Sequence, residues 1–293
     1  MKFLVLGATG TVGSQVTREL LARGHQIRVL TRNPDKAKSL GAVETVVGDL
    51  MDPTSLRAIY AGVDGAFLLT GLSPSESHEG LMAVTAAIPA KLKRIVFLSI
   101  HRVDEAPHLP HFGAKVAIEA AVKASGIPFT ILRPNNFYQN DHWYRDAILA
   151  HGVYPQPIGQ VGLSRVDVRD IAEAAAIALT QDGHAGKTWN LVGPRVINGP
   201  ETAAIWAERV GRPVAYGGDD LEAWEQQALQ MFPAWAAYDF KWMYAFFQAK
   251  GFKATAEDVA ALTKILGHPP RSYEDFVGET AKAWSAEAAG VRA

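Results

Sequence analysis

The sequence predicts an α/β protein: a doubly wound parallel sheet covered by helices on both sides, with a smaller, mostly helical C-terminal part. Three observations predict it. Short, continuously apolar runs recur at residues 3–6, 27–30, 43–47, 65–69, 95–98 and 129–132, as in strands buried on both faces. Segments with helical spacing lie between them, as at Val12, Val16, Leu20 and Leu21. The connections are mostly short, and strand–helix–strand units repeated this way build a parallel sheet.

The element starts carry local signals. Asn33-Pro34 and Asp52-Pro53 each put a capping side chain before a proline at the first helical position. Ser73-Pro74-Ser75-Glu76 reads as a capping box. The second half of the chain differs. Residues 152–165 are rich in Gly and Pro, with short extended pieces at 153–154 and 161–163. A helix is expected over 168–180, a strand over 188–192, and mostly helix after Gly199-Pro200. All seven Trp lie at or beyond position 143, five of them after residue 200, which points to a separate aromatic-rich cap. For any single Trp, core packing is the simpler role. The expected organisation is a sheet domain over 1–150, rejoined by 165–193, and a cap made of 151–164 and 194–293.

Composition narrows the function. Hydrophobic residues are 48% and charged residues 20% of the 293, which excludes a disordered chain. Lys and Arg number 29 against 30 Asp and Glu, and no basic run stands out, so a direct nucleic-acid partner is not expected. There is no Cys, hence no disulfide, thiolate metal site or Cys nucleophile. The apolar N-terminal run meets Gly7 too soon for a signal peptide, and no stretch of about 20 apolar residues marks a membrane span. The expectation is a cytoplasmic monomer or homodimer acting on a small molecule.

The first strand runs into Gly7-Ala8-Thr9-Gly10-Thr11-Val12-Gly13, which opens the first helix. A glycine pattern alone is weak, but this one sits between a strand and a helix of a βαβ unit. Gly7 can supply the tight turn, Gly10 the close approach to a pyrophosphate, and Gly13 the helix-to-strand contact. The helix N-terminus adds unpaired N–H groups and partial positive charge. The second strand ends at Leu30-Thr31-Arg32-Asn33-Pro34. An NAD site usually carries an acid there for the ribose 2′-hydroxyl. Arg32 stands instead, placed to pair with a 2′-phosphate, so NADP(H) is expected over NAD(H). Asp49, after the third strand, can accept from an adenine amino group or cap the next helix, a position Asp52 already serves.

Together the glycine loop, Arg32-Asn33-Pro34, Val47-Gly48-Asp49-Leu50, the stretch from Gly126 to Phe137 and Val166-Asp167-Val168-Arg169-Asp170-Ile171-Ala172 resemble the NmrA-like branch of the atypical short-chain dehydrogenase/reductase family. The resemblance is specific in the first 180 residues and loose beyond residue 200. It implies a Rossmann core binding NADP(H) across the strand ends and a C-terminal subdomain closing a substrate cleft. It places Gly7, Thr9, Gly10, Thr11, Val12 and Gly13 on the pyrophosphate, Arg32 on the 2′-phosphate, and Asp49 with Leu50 on the adenine. Thr70 and Gly71 would flank the adenosine ribose, and Ser99 would face the nicotinamide side. Pro134, Asn135, Asn136 and Phe137 would form the nicotinamide wall.

Ordinary short-chain dehydrogenases carry Tyr and, four residues on, Lys. Here His111 stands at the Tyr position and Lys115 at the Lys position. The resemblance implies a nicotinamide-ribose contact for Lys115; a surface pair with Glu119, four residues on, is the simpler alternative. His111 can act as an acid, orient substrate, or sit as a partly buried side chain. Losing the Tyr favours acceptors that need little protein-borne proton transfer, such as quinones or cationic dyes. Tyr138 and Trp143 would contact such a flat acceptor, and Trp206, Trp224, Phe232, Trp235, Tyr238 and Trp242 populate the cap. The family also contains NADP(H)-binding sensors without evident catalysis, which is the alternative function. His78-Glu79 has no second His four residues on, His108 and His111 have no clear third ligand, and Asp167 and Asp170 are better placed to brace the following helix. No metal is expected, and no Ser-centred nucleophile elbow is present.

Overall fold

The computed structural model describes residues 1–41, 43–288 and 290. In chain order the first elements are β1 (Lys2–Val5), α1 (Thr11–Ala22), β2 (Gln26–Thr31), α2 (Pro34–Lys38), β3 (Glu44–Val47), α3 (Pro53–Tyr60), β4 (Gly65–Leu68), α4 (Glu76–Ala87), β5 (Arg94–Leu98), α5 (Pro110–Ala124) and β6 (Phe129–Pro134). Then come α6 (Arg145–Leu149), β7 (Val153–Tyr154), α7 (Val168–Thr180), β8 (Lys187–Leu191), α8 (Gly199–Val210), β9 (Ala215–Tyr216), α9 (Leu221–Ala228), α10 (Ala234–Lys250), α11 (Ala256–Leu266) and α12 (Tyr273–Ala288). No helix among the described residues is long and apolar enough to cross a membrane.

Seven strands pair in parallel in the order β3-β2-β1-β4-β5-β6-β8. The chain builds outward from β1 to β3, then returns to lay β4 on the other side of β1, with Phe3 opposite Gly65. The strand order therefore reverses between β1 and β4, where loops part and leave a crevice at the strand ends. The predicted fold class is the observed one. One strand differs in setting: β3 is an edge strand with Val47 61% exposed, not a strand buried on both faces.

The sheet's apolar face packs Leu4, Leu68, Ile95 and Phe97 against Leu56, Ile59, Val84, Ile118 and Val122. Elsewhere α7 lies on α1, its buried Ala172, Ala174, Ala175, Ala176 and Ala178 permitting close approach. Asn33 and Asp52 cap α2 and α3 as the sequence predicts. The capping box at Ser73–Glu76 does not form. Helix α4 begins at Glu76 itself, and the hydroxyls of Ser73 and Ser75 donate to Glu79 instead. Glu76 turns inward.

Two compact units are distinguished. One holds Met1–Pro134, Val168–Leu191 and Lys264–Gly267; the other holds Asn135–Asp167, Val192–Thr263 and His268–Ala293. The sheet unit thus ends at Pro134 rather than at residue 150, and residues 165–167 also lie in the second unit. In that second unit, β7 pairs with β9, and Leu163 bridges both Ile197 and Phe252. Its centre is polar. Asp141 and Arg165, both fully buried, pair at 2.7 Å. Asp141 also accepts from Gln156 (2.7 Å), Tyr154 (3.1 Å), Trp206 (3.1 Å) and Tyr273. Arg165 spends further N–H groups on the Asn136 side chain (3.0 Å) and the Phe137 carbonyl (2.7 Å). Burial drives the Tyr154 and Tyr273 hydroxyls well above their ordinary pKa, so both remain neutral donors.

Candidate active site

The glycine loop leaves β1 with Gly7 at φ +67°, a conformation glycine adopts without strain. The Gly10 N–H then donates to the Gly7 carbonyl at 2.9 Å and closes the turn. Gly10 caps α1 with extended backbone and no side-chain hydrogen bond. The first N–H groups of α1 are thus not capped by the Gly10 residue and remain suited to an anion. Gly13 is required by contact: a Cβ there would lie 2.2 Å from the Gly7 carbonyl oxygen. Val12 faces the core, so its contribution to a ligand is backbone.

A groove of about 330 Å³ opens at the strand ends beside this loop. Gly7, Thr9, Arg32, Asp49, Leu50 and Gly71 line it, gathering six of the predicted residues. Lys36 and Asn33 line it too, and neither was singled out as a ligand contact by the sequence. The signal for Lys36 is its place on the short helix α2 that follows Arg32 directly, four residues beyond it. The Arg32 side chain is 85% exposed, with its nearest acid, Asp49, at 3.7 Å. Asp49 accepts from the Met51 N–H at 2.8 Å and braces its own loop; the cap of α3 belongs to Asp52 alone. A dinucleotide fits these residues: glycines where a side chain would block the backbone, an anion-accepting helix end and exposed cations just past the end of β2.

Further along the strand ends, Lys115 departs from the surface-pair alternative. Its side chain is 8% exposed and its ammonium lies 2.8 Å from Glu76 and 2.8 Å from the Thr70 hydroxyl. The Thr70 hydroxyl donates to the same Glu76 oxygen at 2.8 Å. Phe97 presents its ring 5.5 Å from the ammonium. Glu119 belongs to a separate cluster. It accepts from Ser99 at 2.6 Å, from Arg133 at 2.7 and 2.8 Å, and from Lys123 at 3.0 Å. Burial pushes the Glu119 carboxyl up, but the donors from Arg133, Ser99 and Lys123 outweigh it and hold the group below its ordinary range. Ser99 is therefore a buried brace of Glu119 rather than an open hydroxyl. His111 sits one turn before Lys115, half-buried, its ring edge-on to Phe112 at 4.8 Å.

The predicted nicotinamide wall begins in the sheet unit with Pro134, whose carbonyl accepts the His101 N–H at 2.9 Å. Asn135, Asn136 and Phe137 lie in the second unit. The Asn135 side chain is buried, donating to the Phe252 carbonyl at 2.7 Å. The predicted substrate residues separate. Tyr138 is 1% exposed, with its ring against Tyr273 and Phe276, and is core rather than wall. Trp143 is 48% exposed, backed by Phe232 and Phe240. Among the other cap aromatics, Trp206 and Trp224 are buried, whereas Trp235, Tyr238 and Trp242 face outward from α10.

The sheet order, glycine loop and groove define a dinucleotide-binding α/β protein. The chain matches the NmrA-like family over residues 1–276 and belongs to that family. It is 33% identical to an NAD(P)H azoreductase of Xenophilus azovorans over 288 residues, covering 97% of this chain and 99% of the relative. Among solved structures, it resembles an Escherichia coli NADPH-dependent quinone oxidoreductase complexed with NADPH, with TM-score 0.85 and 25% identity, covering 95% of this chain and 99% of the other. It also resembles a Citrobacter triphenylmethane reductase complexed with NADP(H), with TM-score 0.82 and 27% identity over 95% and 99% of the two chains.

Proposed function

We propose that this protein is an NADPH-dependent reductase of conjugated aromatic acceptors such as quinones, azo dyes or triarylmethane dyes. The observation that carries the reading is the groove at the β1/β4 reversal, with Arg32 and Lys36 at its ribose end and no acid at the end of β2. The loop from Gly7 to Gly13 holds the pyrophosphate on the N-terminus of α1. Arg32 and Lys36 take the 2′-phosphate, and Asp49 with Leu50 faces the adenine. Lys115 holds the nicotinamide ribose, with Thr70 and Gly71 beside the nucleotide. The bound cofactor supplies a hydride to the acceptor. A planar acceptor needs orientation more than acid catalysis. His111 stands where a proton donor is usual, and water can protonate a reduced quinone without it. The similarity to the azoreductase and to both NADP(H)-complexed reductases supports this class of activity.

The test is NADPH oxidation against a panel of quinones, azo dyes and triarylmethane dyes. Turnover on one class is expected; tight NADPH binding without turnover on any would overturn the reductase reading in favour of a sensor. Cofactor choice is tested with Arg32→Ala, which is expected to weaken NADPH about tenfold and leave NADH nearly unchanged, consistent with one exposed charge-assisted contact. An unchanged NADPH preference in that variant would remove Arg32 from the site.

A further inference from the structure

The cluster of Thr70, Glu76 and Lys115 contains a residue with no role in the reading above. We infer that Glu76 is a positioning residue, fixing the Lys115 ammonium against Thr70 at the ends of β4 and β5. This inference rests on Lys115 being a cofactor contact.

The geometry explains why a second residue is needed. A lysine ammonium rides on a flexible four-carbon stem and has no preferred direction of its own. Here it is held in a closed triangle with three sides of 2.8 Å: Lys115 to Glu76, Lys115 to Thr70, and Thr70 to Glu76. The Thr70 proton is committed to Glu76, so its oxygen can accept from Lys115. Two of the three ammonium N–H groups are thereby directed. Glu76 is also the first residue of α4, where an acid facing solvent would already suit the helix dipole. Instead its side chain is only 4% exposed. Burying a carboxylate is costly unless it is paired, and Glu76 forms its ion pair with Lys115.

Most other charged groups on elements packed against α5 are occupied elsewhere or exposed. On α4, Glu79 accepts from Ser73 and Ser75, and His78 is exposed. Arg133 of β6 binds Glu119 and Asp104. Arg94 of β5 binds Asp182. In the β5–α5 connection His101 is buried, Arg102 binds Glu105, and His108 is exposed. On α5 itself, Glu119 is taken by Ser99, Arg133 and Lys123, and His111 lies one turn away.

Removing the carboxylate leaves a buried cation without its counter-charge, which favours the neutral amine. The experiment is NADPH affinity and steady-state turnover between about pH 6 and 10 for wild type, Glu76→Gln, Glu76→Asp and Lys115→Met. Glu76→Gln is expected to work best at the acid end, its alkaline limb moved toward neutrality by about two pH units. Glu76→Asp retains the charge but not the reach, so its limb stays in place while kcat/KM falls about tenfold. If Glu76→Gln fails to fold, Glu76→Asp decides alone, and wild-type kcat/KM in that variant overturns the inference. A wild-type pH profile in folded Glu76→Gln, with Lys115→Met impaired, also overturns it. Lys115→Met with wild-type affinity and turnover instead overturns the underlying reading of Lys115.

Discussion

The two units each bury an ion pair, and the pairs are built differently. Asp141 and Arg165 are fully inaccessible, and fixed donors and acceptors surround both: Tyr154, Gln156, Trp206 and Tyr273 on the acid, Asn136 and the Phe137 carbonyl on the base. A planar guanidinium suits such a saturated network because its donors point in set directions. Glu76 and Lys115 form a sparser cluster, with Thr70 as the shared partner and an ammonium at the ends of the strands. The difference separates a pair that specifies a core from one that can serve a ligand. It also separates the units. The sheet unit shapes its glycine loop through the backbone contact of Gly13 with Gly7, whereas the second unit is organised by side chains around one carboxylate.

The largest expected effect comes from breaking the saturated pair. Asp141→Ala leaves Arg165 buried without its counter-charge and several donors unpaired, at a cost of about 3–5 kcal/mol. Denaturant unfolding at neutral pH checks the magnitude. If Asp141 serves only the core of its own unit, folded variant should still bind NADPH with wild-type affinity; a large loss of affinity would show that the contrast between the units is drawn too sharply. The next effect probes the backbone groove. In Gly13→Ala the new methyl meets the Gly7 carbonyl, which belongs to the main chain and cannot rotate away. The expected cost is about 1–3 kcal/mol of stability. NADPH affinity should fall as well, because the same shift displaces both the turn and the start of α1. Calorimetric titration with NADPH checks this, and wild-type affinity in the variant would remove the loop from the binding site.

Legibility in the sequence follows the same division. The seven strands of the large sheet, the glycine loop and the caps at Asn33 and Asp52 depend on neighbours in the chain, and they stand close to where their local patterns place them. Spacing from His111 singles out Lys115, but local spacing offers only Glu119 as an alternative charge partner, and the pair that forms is with Glu76. Glu119 lies four residues away on the same helix, whereas Glu76 lies on α4 and reaches Lys115 only once α4 and α5 pack. A local motif, the capping box, also competes for Glu76, and tertiary pairing with Lys115 overrides it. Tyr138 differs from its expected place for a related reason. It follows the β6 loop in sequence, but its ring is enclosed by Tyr273 and Phe276 from α12, which no local spacing reveals. The Asp141–Arg165 hub joins residues from four or more segments of the second unit and had no sequence motif at all.

The smallest expected effect concerns Glu119, which stands between the two kinds of ion pair. It is buried like Asp141, yet one of its donors, Lys123, is about half exposed. Arg133 and Ser99 supply the inner contacts. Because the folded-state carboxyl is held below its unfolded value, its stabilisation is fully present above the ordinary Glu range, near pH 4.3, and is lost as pH falls through the folded value. Glu119→Gln should therefore be less stable than wild type at neutral pH, by about 1–2 kcal/mol. The difference should shrink as both proteins are taken below about pH 4, where the wild-type carboxyl also loses its charge. Thermal unfolding of the two proteins across that range checks the sign. Lys123→Met, removing only the exposed arm, should cost no more than about 0.5 kcal/mol. A larger loss for Lys123→Met than for Glu119→Gln would place the strength of this cluster at the surface rather than with Arg133 and Ser99.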